Sequence, residues 1–202
     1  MNLITELQYF PSVIFYKNSY EFSNIIFEQY ESYQKMSFRN RCIIAGANGL
    51  ITLSIPLQEG RNQKTIMKEV KIEDSKWQTD HWKSIESCYN KSPWFEFYKD
   101  ELHELYSKPF CFLLDWNLAC FEWSIRILGL PLVFSLSEIF IKKYNEDVAD
   151  FRNKILPKNY KDYNAVAYRQ VFEDRIGFMP NLSILDLIFC EGKTAKELLS
   201  KT

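Results

Sequence analysis

The chain has 202 residues, 47% of them apolar and 25% charged, and its 25 Lys and Arg against 26 Asp and Glu leave a formal charge of −1. That balance excludes a disordered chain, a collagen-like chain and a strongly basic protein coating nucleic acid. Area scaling at this size leaves about 10,000 Å² exposed after folding and buries roughly 70% of the unfolded surface, so one domain over residues 1–202 is expected.

Short β-branched and aromatic runs at Leu3–Leu7 and Phe22–Glu28 predict strands. Arg41–Ala45 and Leu50–Ile55 flank Gly46-Ala47-Asn48-Gly49. An Asn-Gly between two alternating runs signals a hairpin, because both residues tolerate positive φ. Val70–Ile72 reads as another strand. The texture then turns helical: Trp77–Asn90 carries apolar residues at 3–4 spacing behind Ser75 as a cap, and Pro93 suits the first turn of Trp94–Tyr106. Asn117–Leu128 predicts a third helix, with Asp115 or Asn117 as cap and Gly129 as stop. Leu130–Ser135 looks like a strand returning to a sheet, Asn145–Lys161 is polar and partly loop, and Leu182–Phe189 and Thr194–Leu199 are short terminal helices. Strands, then helices, then a strand predict an α/β fold: a mixed, mainly parallel sheet with flanking helices and an early β-hairpin.

Five cysteines, at Cys42, Cys88, Cys111, Cys120 and Cys190, form no C-x-x-C pair and suggest reduced thiols rather than a disulfide framework. No signal-peptide pattern and no 18-residue apolar run is present, so a cytoplasmic protein without a membrane span is expected. Two histidines far apart give no metal site, and the nucleotide-binding glycine motifs and the G-x-S-x-G elbow are absent.

Tyr33–Cys42 is the most informative stretch. Between Ser32 and Gln58 there is no acidic residue, while Lys35, Arg39 and Arg41 are basic. In extended backbone Arg39 and Arg41 share a face, close enough to hold one phosphate or carboxylate by forked hydrogen bonds. The competing reading pairs these arginines with carboxylates elsewhere in the fold or leaves them solvated on an edge. His81, with Trp77 and Ile85 four residues to either side, is either a general base or a core histidine satisfied by a backbone carbonyl. Asp115 and Asn117 either cap a helix or face a substrate hydroxyl, and Tyr9, Phe10, Phe15 and Tyr16 either wall a pocket or fill the core.

Taken in order, these pieces resemble the WbqC-like family. The likeness is carried by Gln8-Tyr9-Phe10-Pro11, by Tyr33–Cys42 with Arg39-Asn40-Arg41, by Leu53–Pro56, and by Trp77, His81-Trp82, Ile85-Glu86, Tyr89 and Ser92-Pro93. Asp115-Trp116-Asn117 and Leu128-Gly129-Leu130 leading to Ser135-Leu136-Ser137 complete it. It is strongest over residues 5–140, with a weaker tail over 141–202. The early proline and the Gly-Tyr pair usual in that family's opening are absent. The resemblance implies a role in surface-polysaccharide (O-antigen) biosynthesis, with no defined reaction and no known cofactor. By analogy alone, the strand, aromatic turn and helix at the start are similar to nucleotidyltransferase-type Rossmann-like folds, without their pair of histidines.

The expected function is therefore a transferase that modifies a nucleotide-linked or lipid-linked amino sugar, by acyl transfer. Arg39 and Arg41 would hold a small anionic substrate such as a nucleotide sugar, His81 would take a proton, and Asp115 or Asn117 would orient the attacking group. Gln8, Gln34, Lys35 and Asn40 would complete the pocket. The alternative is a non-catalytic binding or scaffold protein of the same complex. No nucleic acid is expected as partner, and the oligomeric state stays open.

Overall fold

The computed structural model describes residues 1–58 and 64–200. β1 (Asn2–Thr5) leads through the turn at Leu7–Pro11 into α1 (Val13–Ser19), which returns to β2 (Asn24–Phe27). The hairpin follows as β3 (Arg41–Gly46) and β4 (Gly49–Ser54). Three longer helices come next: α2 (Trp77–Tyr89), α3 (Phe95–Ser107) and α4 (Leu113–Leu128). β5 (Phe134–Leu136), β6 (Val148–Asp150), α5 (Glu173–Ile176), α6 (Ile184–Glu191) and α7 (Ala195–Ser200) complete the chain.

Four strands form a parallel sheet in the order β5-β2-β1-β6. The first strand lies inside and the order reverses between β1 and β6, which in open α/β sheets marks the place where ligands gather beyond the strand ends. The hairpin forms a separate antiparallel pair with Ala45 opposite Leu50. Its bend falls on Ala47-Asn48, and Gly49, at φ +127°, takes the backbone angle that a side chain would strain.

The helices differ from expectation mainly at their ends. α4 begins at Leu113, so Asp115 and Asn117 lie within it. Leu113 N–H instead donates to the Val70 carbonyl at 2.9 Å, which satisfies the helix start without a side-chain cap. Val70–Ile72 makes only isolated bridges, Lys71 with Phe112 and Ile72 with Leu57. α1 and β6 are elements that sequence periodicity did not mark.

The aromatic excess is core. Phe15, Tyr16, Phe27, Phe121 and Phe134 stack edge and face between the sheet and the helices, and Tyr9, Trp77, Tyr106 and Trp116 form a second group. Among the described residues only Phe97 and Phe140 are exposed aromatic side chains. No helix among them is long and apolar enough to cross a membrane.

Candidate functional site at the strand ends

The register places polar residues in a row along the carboxyl edge of the sheet. Thr5 pairs with Phe27 and Phe27 with Leu136, so the next residues, Glu6, Glu28 and Ser137, stand side by side. Ile4 pairs with Asp150, and two residues further on Arg152 comes level with Glu6. Backbone leaves the parallel strands here, at the edge where open α/β sheets bind ligands.

Glu6 and Glu28 are fully buried, and Glu28 Oε2 makes no hydrogen bond within the protein. Glu6 accepts from Gln8 Nε2 at 2.8 Å and from the Asn153 N–H at 2.7 Å. Glu28 accepts from the Tyr30 N–H and from Ser137 Oγ, both at 2.8 Å, and its second oxygen lies 3.6 Å from Arg152 Nη1. Arg39, 0% exposed, hydrogen-bonds Glu31 through Nη2, which also lies 4.0 Å from Glu6. Its Nε and Nη1 have no partner within the protein. Arg152 grips Asp150 with two hydrogen bonds, 3.0 and 2.6 Å. Burial pushes the Asp150 carboxyl up, but the Arg152 hydrogen bonds outweigh it and the net direction is downward. Burial also raises Glu31, and the Arg39 charge only partly opposes it.

Above this row lies an open cleft of about 540 Å³, lined among others by Glu31, Gln34, Asp150, Arg152, Lys142 and Lys154. A hollow of about 330 Å³ lined by Tyr33, Leu57 and Thr65 among others holds none of the strand-end carboxylates. Among the described residues no group of three His, Cys, Asp or Glu side chains is placed to hold a metal ion.

Some of the residues singled out from the sequence meet here. Gln8 props Glu6, and Gln34 lines the cleft. Arg39 sits in the turn before β3 rather than in the strand and pairs with carboxylates, the competing reading of that arginine. Asn117, buried on α4, donates to the carbonyls of Leu7 and Arg39 at 3.3 and 2.8 Å and so ties the turn after β1 to the Arg39 turn. Asn40 donates to the Ile55 carbonyl at 2.9 Å and pins the end of the hairpin.

Others lie apart. Arg41 turns to Met36 Sδ at 3.9 Å, Lys35 is exposed, and Asp115 is exposed on the first turn of α4. His81 is enclosed between Tyr9 and Trp77. Its Nδ1 lies 3.0 Å from Tyr9 Oη, which also bonds Tyr106, and the Ser54 backbone engages the ring as well. Burial lowers its pKa to about 4. None of these contacts is a cleft residue, so the imidazole and the two arginines do not surround one guest.

Glu6, Glu28, Glu31, Asp150 and Arg152 carry the site and were not singled out from sequence. A signal was present. Glu6 and Glu28 are acids inside runs that otherwise read as buried strand, and a charge there marks the strand's end.

Fold and site together define an α/β protein with a charged cleft at the switch point of a parallel sheet. The chain belongs to the WbqC-like protein family, whose model matches residues 8–156 and again 141–198. No curated protein and no solved structure matches it.

Proposed function

We propose that the chain is a transferase of surface-polysaccharide biosynthesis that acylates an amino sugar carried on a nucleotide or a lipid. The polysaccharide setting comes from the family. One observation supports the chemistry: Glu31 is a carboxylate in the cleft wall, raised by burial and held in place by a buried arginine.

The charges suit an amine. The cleft wall carries Glu31 and Asp150, with Glu6 and Glu28 buried behind it, and so accommodates an ammonium group, while Lys142 and Lys154 at the rim suit a phosphate. A carboxyl raised from its ordinary value is a better base toward an amine than an unperturbed one. In the reaction Glu31 takes one proton from the bound ammonium, the freed amine nitrogen attacks the carbonyl carbon of an activated acyl donor, the bond from that carbon to the leaving group breaks, and the second N–H proton departs with the leaving group. Arg39 positions Glu31 and stays buried. His81 serves the fold, through Tyr9.

The test is Glu31→Gln assayed with nucleotide-linked amino sugars and acyl donors. We expect turnover to fall by about 10²–10⁴ while binding of the amino sugar, measured by calorimetry, changes little. Unchanged turnover removes Glu31 as the base. Absence of any amino-sugar binding by the unaltered chain removes the substrate class.

A further inference from the structure

We propose that the loop at residues 139–143, beside the mouth of the cleft, is a docking surface for an anionic lipid membrane. Three consecutive large apolar residues are exposed: Ile139, Phe140 and Ile141 are 64%, 50% and 37% exposed, and Val133, next to β5, is 62% exposed. Single exposed apolar side chains need no explanation, but a contiguous run of them does.

The loop is held in this posture. Arg152 donates to the carbonyls of Ile141 and Lys142 at 2.9 and 3.3 Å, and its guanidinium lies 5.5 and 5.2 Å from the Phe140 and Tyr144 rings. Asp150 fixes Arg152 from the sheet side. Backbone anchored from beneath leaves Ile139 exposed beside Phe140, whose half-exposed ring forms part of the cleft rim over Arg152.

Charge selects the occupant. Lys142 and Lys143 follow the apolar run directly and are exposed, and Lys154 stands in the wall of the same cleft. The acids nearest in sequence are Glu138 before the run, and Glu146 and Asp147 further toward β6. Lysines immediately behind Ile-Phe-Ile match a bilayer interface, where apolar tips enter the acyl boundary and ammonium groups stay among anionic headgroups. A second copy of the chain fits less well. Across a two-fold axis the patch would meet itself and bring the lysine pair against its own image. With the cleft mouth at headgroup level, Lys142 and Lys154 would meet the phosphate of a lipid-linked precursor. That choice of precursor rests on the function proposed above, whereas the docking surface does not.

The experiment is sedimentation of the full chain with vesicles of phosphatidylcholine alone or mixed with phosphatidylglycerol. We expect pelleting with the anionic vesicles only, weakening as salt is raised. Ile139→Ser with Phe140→Ser should reduce partitioning by about tenfold or more, and Lys142→Glu with Lys143→Glu by about twentyfold or more. All four residues are exposed, so far-UV circular dichroism should match the parent chain. Protein left in the supernatant with both vesicles, or pelleting equally with both, overturns the proposal. So does a dimer in sedimentation velocity that Ile139→Ser with Phe140→Ser dissociates. No turnover is measured, so failure of the acyl-transfer reading leaves these outcomes untouched.

Discussion

The guanidinium of Arg39 neutralises part of a cluster in which Glu6 and Glu28 are fully enclosed and Glu31 nearly so. Removing one partner of a buried ion pair leaves the other charge without compensation. Arg39→Met should therefore cost about 3–5 kcal/mol in urea unfolding, and adding Glu31→Gln should recover part of that loss, since the two sites are coupled. His81 has its own signature. Its pKa is lowered from 6.5 to about 4 by burial, so below pH 6.5 the unfolded chain binds a proton that the folded chain refuses. Its contribution is fully present above pH 6.5 and is lost as pH falls to about 4, a difference of about 3 kcal/mol. Unfolding free energies from pH 6.5 to 4 should fall more steeply for the parent chain than for His81→Gln, and parallel slopes would remove the argument. Sequence alone drew attention to Arg39 through its acid-free surroundings. Its partners were hidden because Glu6 and Glu31 reach it only through the fold.

α6 shows how one short element is fastened by a buried carboxyl group. Asp186 is fully buried and accepts from Tyr89 and Tyr168 hydroxyls, both at 2.7 Å, and from Gln170 Nε2 at 3.0 Å, tying α6 to α2 and to the segment before α5. Asp186→Asn replaces one acceptor oxygen with a donor that faces other donors. It should cost about 1–3 kcal/mol in thermal or urea unfolding, and a neutral result would show that the network rearranges freely. The hairpin and the three long helices were legible because their signals are local: a two-residue bend, a 3–4 apolar spacing, a glycine at a helix end. β6 was not. It is three residues in a polar stretch, and what makes it a strand is its pairing with β1 from the far end of the sequence. α4 starts four residues before Asn117, since Asp115 and Asn117 have the chemistry of caps while the actual start is satisfied by the Val70 carbonyl.

For the molecule as a whole, one connected set of buried side chains runs from Leu3 to Leu199, takes in both aromatic groups except Phe134, which packs against it, and includes residues of the hairpin and α6. We propose on that basis that the described residues unfold as one unit. Near-ultraviolet and far-ultraviolet circular dichroism should then report coincident transitions, and separated midpoints would show two units.

The bond from the Asn153 N–H to Glu6 joins groups 147 positions apart. At the pace of translation, about 5–20 residues per second, roughly 7 to 30 s separate the emergence of one from the other. Through that interval Glu6 has only Gln8 and Arg39 as partners, and the oxygen that Asn153 will engage stays hydrated. The cleft thus closes only once β6 has emerged, and it opens when β6 is pulled away.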